Sequence, residues 1–389
     1  MTSEESFHNN YGAALQGYAL YTTLQKLGYA PKIVRYFGNM QPPLSTFPLK
    51  KRLRIRASRL YHSVIDVFRK TEETKIKKKY KKEFRQREQL FLAFQKHMSF
   101  YNEKRIGWYD LKDNPPEADI YLCGSDQIWN PFFRSKKNDH GYFLDFAPEG
   151  KPRIAYAPSF GCDALPTDAK TDIKALIDKF HGVSVREAAG RNILLEETGR
   201  DAPVVADPTL LLTLENWVEI ESPVANMPEK YILCYRFSDN EKTKAQIDRI
   251  SKETGLPVYT MPLVLPALRD EYHKVFAAGP KEFIWLIRHA SLVCTDSFHA
   301  TVFSLICGTP FCVFARESFK GNSANMNSRI DNLLRIAELP DRLFMDEDII
   351  DIETLFSVDF SRFQTNIKEL RGESLAWLEE RLSSTSSQK

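Results

Sequence analysis

A histidine and an arginine that close apolar runs are the side chains of this sequence best suited to chemistry. In Cys294-Thr295-Asp296-Ser297-Phe298-His299-Ala300 an apolar run ends in hydroxyls and a carboxylate, and His299 follows on the first turn of a very apolar helical segment. An imidazole there can give or take a proton near pH 7, the plainer alternative being a histidine satisfied within the structure. In Val183-Ser184-Val185-Arg186-Glu187 a strand delivers Arg186 to the edge of a sheet. Its planar guanidinium suits a carboxylate or phosphate, with an ion pair to Glu187 or another acid as the alternative. His299 and Arg186 are therefore the candidate catalytic residues.

Two further loops supply candidate substrate contacts. Phe7-His8-Asn9-Asn10-Tyr11-Gly12-Ala13 sets Asn10, Tyr11 and Gly12 at a helix start. Free backbone N–H groups there can hold an anion, or an asparagine can simply cap the helix. Cys123-Gly124-Ser125-Asp126-Gln127-Ile128-Trp129-Asn130 ends a strand in small polar residues. Gly124, Ser125, Asp126 and Trp129 can then approach a sugar or phosphate, unless the segment is an ordinary turn with Trp129 in the core. Asp296 and Ser297 complete the set. No His/Asp/Glu spacing calls for a metal, and the six cysteines form no zinc-type CxxC pair.

The elements that position these loops follow from periodicity. Apolar residues at helical spacing predict a helix over Ala13 to Leu27, with Gly28 as its stop, and a short strand follows at Lys32 to Tyr36. Strands are expected at Asp119 to Leu122, Arg153 to Ala157, Val183 to Val185 and Pro203 to Ala206, with helices near Asp168 to Phe180 and from Ala188. After a linker at Glu221 to Pro228 the alternation restarts. Strands Tyr231 to Tyr235, Pro257 to Tyr259, Leu292 to Cys294 and Phe311 to Phe314 alternate there with helices Asn240 to Thr254, Lys281 to His289 and Phe298 to Cys307. Such alternation implies parallel sheets covered on both faces. The expected units are residues 1–222, residues 229–360, and a C-terminal helix with a polar tail over residues 361–389. Two tandem α/β units face each other across the carboxyl ends of their strands, which is where ligands bind.

Composition sets the surroundings. The 389 residues are 43% hydrophobic and 27% charged, enough to bury large cores, which rules out disorder and fibre. Lys50 to Arg87 holds 16 basic and 4 acidic residues, a local +12, so the remainder sums to −9 against an overall +3. This stretch reads as part of a helical insertion at about residues 49–106. It faces an anionic partner, either the inner membrane surface or a lipid-linked saccharide pyrophosphate, or else it is a solvated helical face. Nucleic acid is not an expected partner, because the acidic body would repel it and no recognition motif accompanies the lysines. Scattered cysteines and an acidic start at Met1 to Ser6 point to the reducing cytoplasm rather than export, with peripheral contact at the inner membrane face through the basic stretch.

Taken together, the segments resemble the polysaccharide pyruvyl transferase family. The resemblance rests on His8-Asn9-Asn10-Tyr11-Gly12-Ala13-Ala14-Leu15-Gln16, Gly124-Ser125-Asp126-Gln127-Ile128-Trp129-Asn130, Val183-Ser184-Val185-Arg186-Glu187, Asp207-Pro208-Thr209-Leu210 and Asp296-Ser297-Phe298-His299-Ala300, in family order. It implies an α/β fold of two Rossmann-like domains in a GT-B-like arrangement, with the helical basic insertion in the N-terminal one. It also implies transfer of a pyruvyl group, as a ketal, from phosphoenolpyruvate to a sugar of a cell-surface or exopolysaccharide precursor. Phosphoenolpyruvate would be a co-substrate and no cofactor is needed. The sequence departs from the family at Met1 to Ser6, polar where a short apolar strand is common, and at Ser297, where many members carry an arginine. Arg236 or Arg329 can replace that cation. A nucleotide-sugar glycosyltransferase of the same architecture and a glycan-binding relative without catalysis are the competing readings.

Overall fold

The computed structural model describes residues 10–38, 78–132, 140–262, 265–316 and 327–386. Asn10 adopts extended backbone and its side chain accepts from Ala13 N at 3.2 Å, which starts helix α1 (Tyr11–Lys26). Helix α2 (Lys81–Gln95) follows in the described chain. A first parallel sheet, in the order β1 (Tyr121–Cys123), β2 (Arg153–Ala155), β3 (Gly182–Val183), is extended by a parallel bridge between Val185 and Val204. Helix α3 (Ala188–Thr198) and the short α4 (Pro208–Leu211) leave its carboxyl side.

The second sheet is wider. Its strands are β4 (Ile232–Tyr235), β5 (Val258–Thr260), β6 (His273–Lys274), β7 (Leu292–Thr295), β8 (Phe311–Phe314) and β9 (Leu343–Phe344), all parallel, in the order β6-β5-β4-β7-β8-β9. That is the doubly wound nucleotide-fold order, which reverses between β4 and β7 and opens a crevice at their carboxyl ends. Every residue of β4, β7 and β8 is buried, as strands covered on both faces require. The interleaved helices are α5 (Glu241–Thr254), α6 (Pro280–Arg288), α7 (Phe298–Cys307), α8 (Ser328–Ile336) and the C-terminal α9 (Ser361–Ser386).

One apolar cluster joins the two sheets: Tyr11 and Leu15 of α1 share it with Ile154 and Val205 beside the first sheet and Tyr235, Phe283 and Phe303 beside the second. Helix α9 returns to the first unit, where Ser374 Oγ accepts from Ala206 N at 2.9 Å and Arg371 Nε donates to Leu210 O at 2.6 Å. These ties place the ends of both sheets around a common site.

Several expectations shift. The strand expected at Lys32 to Tyr36 is present as two isolated bridges, Ile33 to Phe100 and Tyr36 to Ile106, and that at Pro203 to Ala206 as one, while the helix near Asp168 to Phe180 breaks into Thr167–Lys170 and Ile173–Ile177. Strands β6 and β9, two residues each, and helix α8 were not foreseen; so short a strand carries no alternation to read. Of the basic stretch, residues 50–77 lie outside the described residues, as do Met1 to Asn9. Lys78, Lys79, Lys81, Lys82 and Arg85 are exposed. Arg87 is not part of a surface patch. It is fully buried and donates to Pro262 O (2.6 Å) and Val275 O (3.2 Å), in irregular chain beside β6, and to Phe276 O (3.2 Å), which also accepts from Ala278 N (2.9 Å).

Candidate active site

Arg186 follows Val185, the residue bridged to Val204, and is buried at the carboxyl edge of the first sheet. Its Nη1 donates to Asp207 Oδ2 at 2.8 Å, with Asp126 at 3.6 Å and Glu187 at 3.7 Å completing an acidic surround. Its guanidinium lies 4.5 Å from the centre of the Phe298 ring. Burial alone would lower the pKa of Arg186, but Asp207, Asp126 and Glu187 outweigh it and hold the charge in place. Nε and Nη2 make no hydrogen bond among the described residues.

Asp207 is the N-cap of α4: its Oδ1 accepts from Thr209 N (3.0 Å) and Thr209 Oγ1 (2.6 Å). Oδ2 faces the site, 2.8 Å from Arg186 Nη1 and 3.8 Å from His299 Nε2. Burial disfavours its ionised form, yet His299, Arg186 and the Thr209 bonds outweigh burial and keep the carboxyl below its ordinary range. Ser125 touches the same oxygen at 3.4 Å, donates to Ala157 O at 2.7 Å and has its N–H held by Gln16 Oε1 at 3.0 Å. Gly124 lets this loop pass against the first sheet. At φ +133° a side chain is strained, and an added Cβ would overlap the Tyr156 carbonyl.

His299 enters from the second unit, on the first turn of α7. Burial pushes its imidazole below the ordinary histidine value, Asp207 and Asp126 oppose this, and Arg186 and Arg329 reinforce it. A neutral ring near pH 7 is the result, and its Nε2 makes no hydrogen bond among the described residues. Gly12 of α1 packs flush against the ring, since a Cβ there would overlap Nδ1.

Arg329, on α8, completes the cluster. It is buried, lies 5.8 Å from the Phe298 ring centre, and is pushed down to about 10 by burial and then by neighbouring Arg186. Its hydrogen-bonding partner is the Gln127 amide, whose oxygen, turned toward it, lies 2.8 Å from Nη2 and 3.2 Å from Nη1.

The structure thus brings Arg186, His299, Gly12, Ser125 and Asp126 together. Other candidates sit elsewhere. Tyr11 is core: it stacks on Phe283 at 4.8 Å between ring centres and donates to Ala278 O. Trp129 is also core, fully buried, stacked on Phe143 at 5.2 Å and donating to Tyr142 O. Both aromatics gain more from full burial than a loop surface could offer. Asn10 and Ser297 cap helices. Asp296 spends its oxygens at the second sheet's switch point, accepting from Phe237 N and Ser238 N (2.8 Å each) and from Arg316 Nη2 (3.2 Å). Arg236 is committed to Asp270 at 2.8 Å. Sequence reasoning gave Asp207 no role; its Asp-Pro-Thr pattern signals a helix cap, and nothing local says what the second oxygen faces. Among the described residues no group of three or more His, Cys, Asp or Glu is placed to hold a metal. A cavity of about 900 Å³ beside β1, lined by Leu20, Ile33 and Ile120 among others, touches Gly124 but not Arg186, Asp207 or His299.

The family model for polysaccharide pyruvyl transferase matches residues 10–318. The chain belongs to the polysaccharide pyruvyl transferase family. The matched span holds Gly12, Arg186, Asp207 and His299, whereas Arg329 lies beyond it. Among solved structures the chain is similar to UDP-GlcNAc 2-epimerases. The one from Methanocaldococcus jannaschii, in complex with UDP-GlcNAc and UDP, is 12% identical, with 68% of this chain and 77% of that chain covered and a TM-score of 0.39. The one from Neisseria meningitidis, bound to UDP-GlcNAc, is 12% identical, with 93% and 96% covered and a TM-score of 0.41. No functionally curated protein matches the chain. No helix among the described residues is long and apolar enough to cross a membrane.

Proposed function

We propose that this member of the family transfers a pyruvyl group from phosphoenolpyruvate to a pair of hydroxyls on a sugar of a cell-surface polysaccharide precursor, free or lipid-linked. The supporting observation is the convergence on one carboxylate oxygen, Asp207 Oδ2, of Arg186 Nη1 at 2.8 Å from one unit and His299 Nε2 at 3.8 Å from the other. A buried cation with unspent N–H groups meets a neutral imidazole there, which is what a small anion that must also exchange a proton requires.

The chemistry balances without a cofactor. Two sugar hydroxyls add to C2 of phosphoenolpyruvate and the C2–O bond to phosphate breaks. One hydroxyl proton ends on C3 and the other on the departing phosphate, giving a cyclic ketal and inorganic phosphate. In this reading Arg186 holds an anionic group of the donor. Neutral His299 takes a proton from the attacking hydroxyl and, as imidazolium beside Asp207, delivers it onward.

Titration calorimetry of the full chain with phosphoenolpyruvate tests donor binding without knowledge of the acceptor. Phosphate release is then followed with and without candidate glycans. Donor binding with acceptor-dependent phosphate release is the expected result. Nucleotide-sugar binding without phosphoenolpyruvate binding would mean a glycosyltransferase, and glycan binding with no phosphate release would mean a lapsed enzyme.

A further inference from the structure

Arg186 and Arg329 are two like charges buried against the same Phe298 ring, with centre distances of 4.5 and 5.8 Å. Their environments differ. Arg186 is surrounded by Asp207, Asp126 and Glu187. Arg329 forms no ion pair and no bond to a backbone carbonyl among the described residues, and meets the neutral amide of Gln127. Arginines buried for structural reasons in this chain are treated otherwise. Arg87 donates to three carbonyls, and so does Arg342, to Leu355 O, Thr354 O and Ser357 O.

A buried guanidinium without an anion keeps its desolvation cost uncompensated, and a second cation nearby adds repulsion. Such an arrangement persists where a bound anion repays it. We propose that Arg329 is a second anion-holding residue of this site, so that its ligand is a small molecule with two separate anionic groups, one on Arg186 and one on Arg329. This deepens the donor reading above and rests on it for the identity of the ligand, since phosphoenolpyruvate carries a phosphate and a carboxylate. Burial and Arg186 acting together on Arg329 outweigh the longer-range pull of Asp126 and Glu187, which fits the same picture, because an anion between the guanidiniums relieves both burial and repulsion. The Gln127 amide, on the loop that also carries Ser125 and Asp126, orients the Arg329 fork.

The test compares wild type with Arg329→Gln and Arg329→Lys in calorimetry with phosphoenolpyruvate, pyrophosphate and inorganic phosphate, together with ligand-free melting temperatures. Arg329→Gln is expected to weaken phosphoenolpyruvate by about tenfold or more, Arg329→Lys by less, with the ligand-free melting temperature unchanged or raised because an unpaired buried charge is gone. Inorganic phosphate, held by one arginine, should lose less than phosphoenolpyruvate. Wild-type affinity in Arg329→Gln, or a lowered melting temperature with all three ligands weakened alike, would overturn the assignment. If wild type ignores phosphoenolpyruvate yet binds pyrophosphate in an Arg329-dependent way, the donor reading fails and the two-anion site stands. Binding of neither overturns both.

Discussion

Gly12 sets the position of His299: a Cβ on Gly12 would overlap Nδ1 of the imidazole and come within 2.8 Å of the histidine Cβ. The helix start in the first unit and the helix start in the second are thereby locked face to face, with no room for a methyl group between them. Gly12→Ala should displace the ring, cutting turnover by about tenfold or more and destabilising the fold by roughly 1–3 kcal/mol through overpacking. Phosphate-release kinetics and a melting curve check both; a wild-type rate would show that the imidazole is positioned by something else.

His299→Ala should lower turnover by on the order of a hundredfold or more with folding intact. The pH dependence follows from burial, which holds the folded pKa of His299 below its ordinary 6.5. The unfolded chain therefore takes up the proton first. The stability contributed by this neutral ring is fully present above pH 6.5 and is lost as pH falls through the folded value. Denaturant unfolding at a series of pH values should show that acid-side loss in wild type and a shallower one in His299→Gln. An equal slope in both proteins would exclude His299 as the group responsible.

The ion pairing of Arg186 and the donor contact proposed for it can be separated by substitution. Arg186→Lys keeps a charge near Asp207 and loses the planar fork, so donor affinity should fall more than stability. Arg186→Met strands the Asp207, Asp126 and Glu187 carboxylates in the interior and should cost about 3–5 kcal/mol. Calorimetry paired with chemical denaturation distinguishes them; full donor affinity in the lysine variant would make Arg186 a structural ion-pair partner.

The basic helix α2 divides in the same way. Arg87→Met leaves the buried Pro262 and Val275 carbonyls without the guanidinium donor, while Phe276 O keeps Ala278 N, and should destabilise by about 3 kcal/mol, loosening α2 from the second sheet. Exposed Lys78, Lys79, Lys81, Lys82 and Arg85 can still face an anionic surface, where each contributes about 1 kcal/mol, screened by salt. Sedimentation with anionic vesicles should show binding at low salt that neutral vesicles lack. Equal binding to both, or to neither, would leave this a solvated face.

Much of the fold was legible because parallel strands covered on both faces are continuous apolar runs, and the helices between them repeat at their own period. The runs at Ile232–Tyr235, Leu292–Thr295 and Phe311–Phe314 could be little else. Arg186 was legible because a polar residue directly after an apolar strand run lands at the sheet's carboxyl edge, and His299 because it sits on the first turn of the helix that leaves such an edge. The tertiary structure alone decided which edges meet. That Asp207 faces both Arg186 and His299, that Arg329 joins them from α8, and that Arg87 leaves the basic surface for the interior depend on contacts between residues far apart in the chain. Burial made Tyr11 and Trp129 core residues in the same way, although each stands within a motif of polar loop residues. Sequence pattern reports the local period and the end of an element; the charge environment of a side chain is set by whatever the folded chain packs against it.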